Sequence, residues 1–211
     1  AVIVNEFGKE GIDNDLIINA DEEVFEMNNG CVCCSIRGDL IRTLNSLMER
    51  SDRLDAVVIE TTGLADPGPI AQIFFSDQKF THYTKLDSIV AVVDAYHFNM
   101  QLREHHETRE QIAFADVILV NKIDLVDSTT LETVISDIKR TNPHAKLIKT
   151  AHCQAPINDL IDIDAFNLER VLEMKPQFEL PQKKSKHDNH IGSVSLVSNK
   201  PLDIDKFQTW F

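Results

Sequence analysis

Val117-Ile-Leu-Val-Asn-Lys-Ile-Asp124 joins four apolar, strand-favouring residues directly to Asn-Lys-x-Asp. An unbroken apolar run of this kind fits a strand buried on both faces, as in a parallel sheet covered by helices. The polar residues that end it suit guanine. The Asp124 carboxylate can accept both the ring N1 proton and an exocyclic amine proton, a donor pair that adenine does not offer. Asn121 shapes the pocket, and the Lys122 stem lies along the base. For four residues taken alone, a polar turn after a strand is the plain alternative.

Outward from this point, the same pattern repeats. Ala1-Val-Ile-Val4, Ala56-Val-Val-Ile59 and Ile89-Val-Ala-Val-Val93 are further apolar runs that stop at acidic or polar residues, and the shorter Lys146-Leu-Ile-Lys149 reads as a strand nearer an edge. Helical periodicity falls between them. Leu40, Ile41, Leu44, Leu47 and Met48 form one apolar face, and Leu131, Val134, Ile135 and Ile138 form another, with Ser128 as the expected N-cap of the second helix. The predicted fold class is therefore α/β, a mostly parallel sheet with helices on both faces, followed by the start of a smaller α+β domain.

Residues 1–175 are expected to form the nucleotide-binding domain. Pro176 to His190 holds two prolines, three lysines and two histidines and reads as a linker over 176–190. Residues 191–211 read as the beginning of a C-terminal domain, with a strand at Ile191–Val197 and the first turns of a helix from Asp203 to Phe211.

Glu60-Thr-Thr-Gly63 closes the Ala56–Ile59 strand. In phosphate-loop NTPases an acidic residue at this place acts on Mg²⁺, and a nearby glycine lets the backbone approach the γ-phosphate. The order of an acidic strand end, another strand and then Asn-Lys-x-Asp is the order a GTPase sheet requires. No Gly-x-x-x-x-Gly-Lys-[Ser/Thr] occurs in the 211 residues. The expectation is that the phosphate loop and its strand lie upstream of Ala1, on a unit of roughly 30–40 residues.

Gly30-Cys-Val-Cys-Cys34 is the most distinctive segment. Cys31 and Cys34 have the spacing that lets two thiolates reach one ion, and Cys33 adds a third from the same turn. Sulfur ligands suit Zn²⁺ or Cu⁺, and Co²⁺ with nitrogen or oxygen completing the shell. Three local thiolates leave one position open to exchange. A redox pair of Cys31 and Cys34, or a structural zinc completed by Cys153, are the competing readings. His97 follows Asp94 at the end of the Ile89–Val93 strand. It is read either as a ligand at the nucleotide or metal edge or as a plain loop histidine. His105 and His106 read as solvated, and His187 and His190 fall in the linker.

The formal charge of -13 argues against a nucleic-acid binder, which needs a basic patch to displace counterions. No apolar run is long enough for a membrane-spanning helix, and no leader-like stretch opens the chain. Reduced thiols fit the cytoplasm.

Asn5-Glu-Phe-Gly8, Cys31-Val-Cys-Cys34, Glu60-Thr-Thr-Gly-Leu-Ala-Asp-Pro67 and Asn121-Lys-Ile-Asp124 occur here in the order seen in CobW-type metal-chaperone P-loop GTPases, and the chain resembles that family over about residues 1–175. The resemblance implies a GTPase that binds GTP, Mg²⁺ and Zn²⁺ (or Co²⁺) and hands metal to a client metalloprotein, with a homodimer among the assemblies it allows. By position it implies catalytic or switch roles for Glu6, Glu60 and Gly63. Asn121, Lys122 and Asp124 would form the guanine site. Cys31, Cys33 and Cys34 would be metal ligands, with Glu6 and His97 near the metal. A non-enzymatic metal-binding module and a thiol-disulfide protein are the alternatives.

Overall fold

The structure, a computed structural model, describes residues 1–5, 24–27, 35–49, 54–61, 63, 65–76, 78–174 and 204–210. Among the described residues, six strands form two parallel sheets. The first has the order β2-β1-β3, built from β1 (Val2–Asn5), β2 (Val24–Met27) and β3 (Val58–Glu60). The second has the order β4-β5-β6, built from β4 (Val90–Asp94), β5 (Val117–Asn121) and β6 (Lys146–Lys149). Parallel neighbours need a crossover of a dozen residues or more, and described helices lie between β4 and β5 and between β5 and β6 to supply it there. The helices up to β6 are α1 (Ser35–Met48), α2 (Gly68–Ser76), α3 (Gln78–Tyr83), α4 (Phe98–Glu104), α5 (His106–Phe114) and α6 (Ser128–Thr141) among the described residues. Beyond β6 come α7 (Leu168–Met174) and α8 (Ile204–Trp210).

Burial explains the strand composition. All five residues of β5 are buried, as expected of the central strand of a covered sheet. Among the described strands β6 lies at an edge, with its terminal lysines exposed, in agreement with its predicted place. β3 and β4 each have one neighbour among the described strands, and Val58, Val90 and Val92 on them are exposed. The strand β2 has no counterpart in the expected elements. It is four residues long and carries a glutamate and a methionine, so neither β-branching nor alternation marks it.

Three apolar clusters hold the layers together. Leu40, Leu44 and Leu47 of α1 are fully buried against Ile3, Ile73 and Phe80, which is the face that their spacing predicts. Val134 and Ile138 of α6 pack on Ile118 and Val120 of β5, with Phe98 and Ile112 beside them. Ala71, Phe114 and Val171 join α2, α5 and α7, where Phe75 and Phe166 stack with ring centroids 5.2 Å apart. Arg170 of α7 also ion-pairs with buried Asp116, just ahead of β5.

The start of α6 corrects an expectation. Its N-cap is Asp127, not Ser128: the Asp127 carboxylate accepts the Thr130 N–H at 2.7 Å. A carboxylate is charged and meets the positive end of the helix dipole, which favours it over the adjacent hydroxyl. The expected linker over 176–190 and the expected strand at Ile191–Val197 lie outside the described residues. The expected terminal helix is present as α8.

Candidate functional site

In parallel α/β sheets, ligands meet the carboxyl ends of the strands. Register brings several singled-out residues to those ends. Glu60 lies beside Val4, and Asp94 lies beside Asn121. Thr150 follows β6 and returns to the sheet through its N–H, which donates to the Val120 carbonyl at 2.9 Å.

Asn121 is buried and turns its side chain toward the loop after β6. Its Oδ1 accepts the Cys153 N–H at 2.8 Å and the Thr150 hydroxyl at 3.2 Å. That loop carries two left-handed non-glycine residues, His152 and Cys153, both with φ of 53°. Such backbone costs energy unless its surroundings hold it, and the Asn121 bond is one such hold. Lys122 is left-handed too, with φ of 62°, and opens a short 3-10 turn over Ile123–Leu125. Asp124 sits in that turn with an exposed side chain and has no hydrogen-bond partner among the described residues. Asn121 therefore supports the loop, while Asp124 is left facing outward.

Asp94 is the charged centre of this edge. Its Oδ2 accepts the Lys122 ammonium at 2.8 Å and the His97 Nδ1–H at 2.8 Å. Its Oδ1 accepts the backbone N–H of Tyr96 at 2.9 Å and of His97 at 3.2 Å. Burial pushes the carboxyl up, but the His97 and Lys122 side chains and these two N–H groups more than offset it. The result is a pKa lowered from 3.8 to about 2. In return the Asp94 carboxylate raises the Lys122 ammonium. His97 is the N-cap of α4, and its ring meets Tyr96 edge-on at 4.7 Å. With Nδ1 engaged, Nε2 is the ring nitrogen that His97 retains for a ligand.

The loop after β3 is fastened from another element. Gln111 of α5 donates its Nε2–H atoms to the carbonyls of Gly63 and Ala65, each at 3.0 Å. Its chain neighbours aside, no atom of the described residues lies within 4 Å of the position a Cβ would take on Gly63, so packing against them makes no demand for glycine there. Three residues on, Asp66 turns the chain into α2 by accepting the Gly68 N–H at 2.8 Å. Gly68 is a tight position, where a Cβ would meet the Phe114 ring at 3.1 Å. Between Gly63, β4 and α5 lies a cleft of about 330 Å³ lined by Val92, Asp94, His105, Thr108 and Gln111.

The structure thus brings Asn121, Lys122, Asp94 and His97 together and ties Gly63 to α5. Glu60 is on the carboxyl end of the other sheet, with its side chain exposed. Glu6, Cys31, Cys33 and Cys34 lie outside the described residues. Cys153 is an exposed free thiol on the Asn121 side. Among the described residues no cluster of three or more His, Cys, Asp or Glu side chains could hold a metal ion. Two contributors were not singled out from the residues. Asp94 ends a strand on an acidic residue, as Glu60 does, and that position was the available signal. Gln111 carries no local mark, because its partners are 46 and 48 residues away.

Residues 1–149 match the family model described as "CobW/HypB/UreG, nucleotide-binding domain". The chain is 34% identical over 211 residues to the zinc chaperone YjiA of Escherichia coli (strain K12), covering 98% of this chain and 65% of that protein. It is 35% identical over 183 residues to the zinc-regulated GTPase metalloprotein activator 1 of Schizosaccharomyces pombe, covering 83% of this chain and 44% of the relative. The chain therefore spans less than two thirds of the length of these relatives. Among solved structures, that of the Zn(II)-bound YjiA GTPase from E. coli superposes with a TM-score of 0.60 at 25% identity. It covers 79% of this chain and 54% of that one. The parallel sheets with their helices thus have the fold of that GTPase, and the family match takes in β1 to β6. The chain belongs to the CobW/HypB/UreG nucleotide-binding family.

Proposed function

We propose that the chain is the greater part of a GTP-dependent metallochaperone that carries zinc as its cargo and passes it to a client metalloprotein. The observation that carries this reading is the Asn121-Lys122-x-Asp124 corner. Its Asn is committed to the loop after β6, its Lys is held by Asp94, and its Asp carboxylate is left exposed. That division of labour suits a guanine base, which needs a fixed wall, a covering alkyl stem and a carboxylate acceptor pair. Similarity to proteins named as zinc chaperones and zinc-regulated GTPase activators supports the cargo and the hydrolysis.

In this reading GTP lies across the carboxyl ends of the strands with its base at Asp124. Glu60 and Gly63, with Glu6, face the phosphate end and Mg²⁺. The phosphate loop belongs on a further strand ahead of Ala1, and the edges of β3 and β4 are where such a strand would pair. Residues 1–175 form the nucleotide domain, 176–190 the linker and 191–211 the beginning of the next domain. Cys31, Cys33 and Cys34 bind the cargo ion. His97 has Nε2 to add, in the manner of histidines whose other nitrogen is held by a carboxylate. Nucleotide-dependent ordering of the loops around the thiol turn links the two ligands.

Titration of the intact natural protein with GTP and ATP tests the nucleotide half. The wild type should prefer GTP, and Asp124→Asn should weaken GTP binding by about one to two decades, the equivalent of roughly 1.5–3 kcal/mol. Equal GTP affinity in the two proteins would remove Asp124 from the site, and equal wild-type affinity for ATP would remove guanine.

A further inference from the structure

The cleft beside Gly63 is lined by two helices that take no part in the nucleotide motifs, and one side chain crosses from them to the loop. Gln111 lies in the last turn of α5, the helix that leads directly into β5. Its Nε2 carries two hydrogens, and both are spent on the loop after β3, one on the Gly63 carbonyl and one on the Ala65 carbonyl. Its chain neighbours aside, Gly63 has no atom of the described residues within 4 Å of its Cβ position, so packing against those residues does not hold that side. Its carbonyl is held instead by a polar bond from another element.

We propose that Gln111 is a positioning residue for the γ-phosphate-facing loop. By holding the carbonyls of Gly63 and Ala65 it keeps these two positions fixed before nucleotide arrives. The ordering cost is then met largely in the free protein rather than on binding. The inference rests on the GTP reading and adds the determinant that separates GTP from GDP. Only a triphosphate presents the group that this loop meets, so only triphosphate affinity draws on the order that Gln111 supplies. α5 also runs into the strand that carries the guanine corner. The same helix thereby ties the phosphate end of the site to the base end.

The test uses the intact natural protein as wild type, Gln111→Ala and Gln111→Glu, titrated with GDP and with a non-hydrolysable GTP analogue in the presence of Mg²⁺. Gln111→Ala removes both donors. Gln111→Glu keeps the volume but sets a carboxylate against two carbonyl oxygens. Both variants should bind the GTP analogue about five- to thirty-fold more weakly, as expected for two partly exposed neutral hydrogen bonds, with the Glu variant at the weaker end. GDP affinity should stay at the wild-type value in both. An equal loss for GDP and analogue would mean that Gln111 merely supports the fold, and unchanged analogue binding in Gln111→Glu would overturn the proposal outright. A wild-type protein that binds neither nucleotide would bring down the GTP reading itself, an outcome the variants cannot mimic.

Discussion

Replacing Asn121 by alanine should loosen one loop rather than the whole domain. The side chain contributes one good hydrogen bond, to the Cys153 N–H at 2.8 Å, and one longer one, to the Thr150 hydroxyl at 3.2 Å. Each is worth a net 0.5–1.5 kcal/mol in general, and the site is buried, so roughly 2 kcal/mol is the expected loss. The loss falls locally because His152 and Cys153 are both left-handed, a conformation that non-glycine residues leave when released. The Gln154 N–H is the reporter. It donates to the Ala151 carbonyl at 3.1 Å inside the same loop and does not touch Asn121. Native-state hydrogen exchange should show its protection falling by about thirty-fold in Asn121→Ala, the equivalent of that free energy. The Thr150 N–H bonds to Val120 in the sheet, and it should keep the protection of the ladder. GTP affinity of the intact protein should fall by up to the same factor, since the loop must then be ordered on binding. A Gln154 amide that exchanges at the wild-type rate in the variant would refute the role given to Asn121.

Two further outcomes follow from the site. Asp94 has a folded-state pKa lowered to about 2, so its contribution to stability is complete above its ordinary value of 3.8 and is lost as pH falls through about 2. Asp94→Asn should flatten that acid limb of the denaturation midpoint against pH, and a limb as steep as in the wild type would show that the carboxylate is not paired as described. For the cargo, replacing Cys31, Cys33 and Cys34 by serine should abolish the near-ultraviolet charge-transfer band of a Co²⁺-loaded protein, while Cys153→Ser should leave it in place. Loss of the band in Cys153→Ser would favour a structural site over an exchangeable one.

Legibility in the sequence followed the physics of each element. β5, α1 and α6 were readable because burial on one or both faces imposes a period or an unbroken run: β5, Leu40, Leu44, Leu47, Val134 and Ile138 are buried, while Ile41, Met48, Leu131 and Ile135 at the margins of the faces are half-buried. β2 was not, because four mixed residues between polar stretches carry no period. The N-cap of α6 was displaced by one residue, since two good capping residues stand side by side and the charge and extended backbone of Asp127 separate them. In the candidate site, the motif residues Asn121, Lys122 and Asp124 are marked out by their chemistry. Their supports were hidden by distance along the chain. Thr150 and Cys153 reach Asn121 across 29 and 32 residues, and Asp94 reaches Lys122 across 28. Nothing local in a sequence encodes such partners.

The exposed valines of β3 and β4 carry a consequence for how the chain behaves in company. An edge strand with a free row of backbone donors and acceptors does not discriminate among extended segments that approach it. Among the described residues β3 and β4 have no second neighbour, and Val58, Val90 and Val92 on them are exposed. A foreign strand, or the same strand of another copy, would find the same welcome as a rightful one. Self-association of this kind grows with concentration and is opposed here by charge: at -13 each copy repels the next before edges can meet. The acidic composition therefore acts as a long-range guard, and added salt, by screening it, should bring the edges into play.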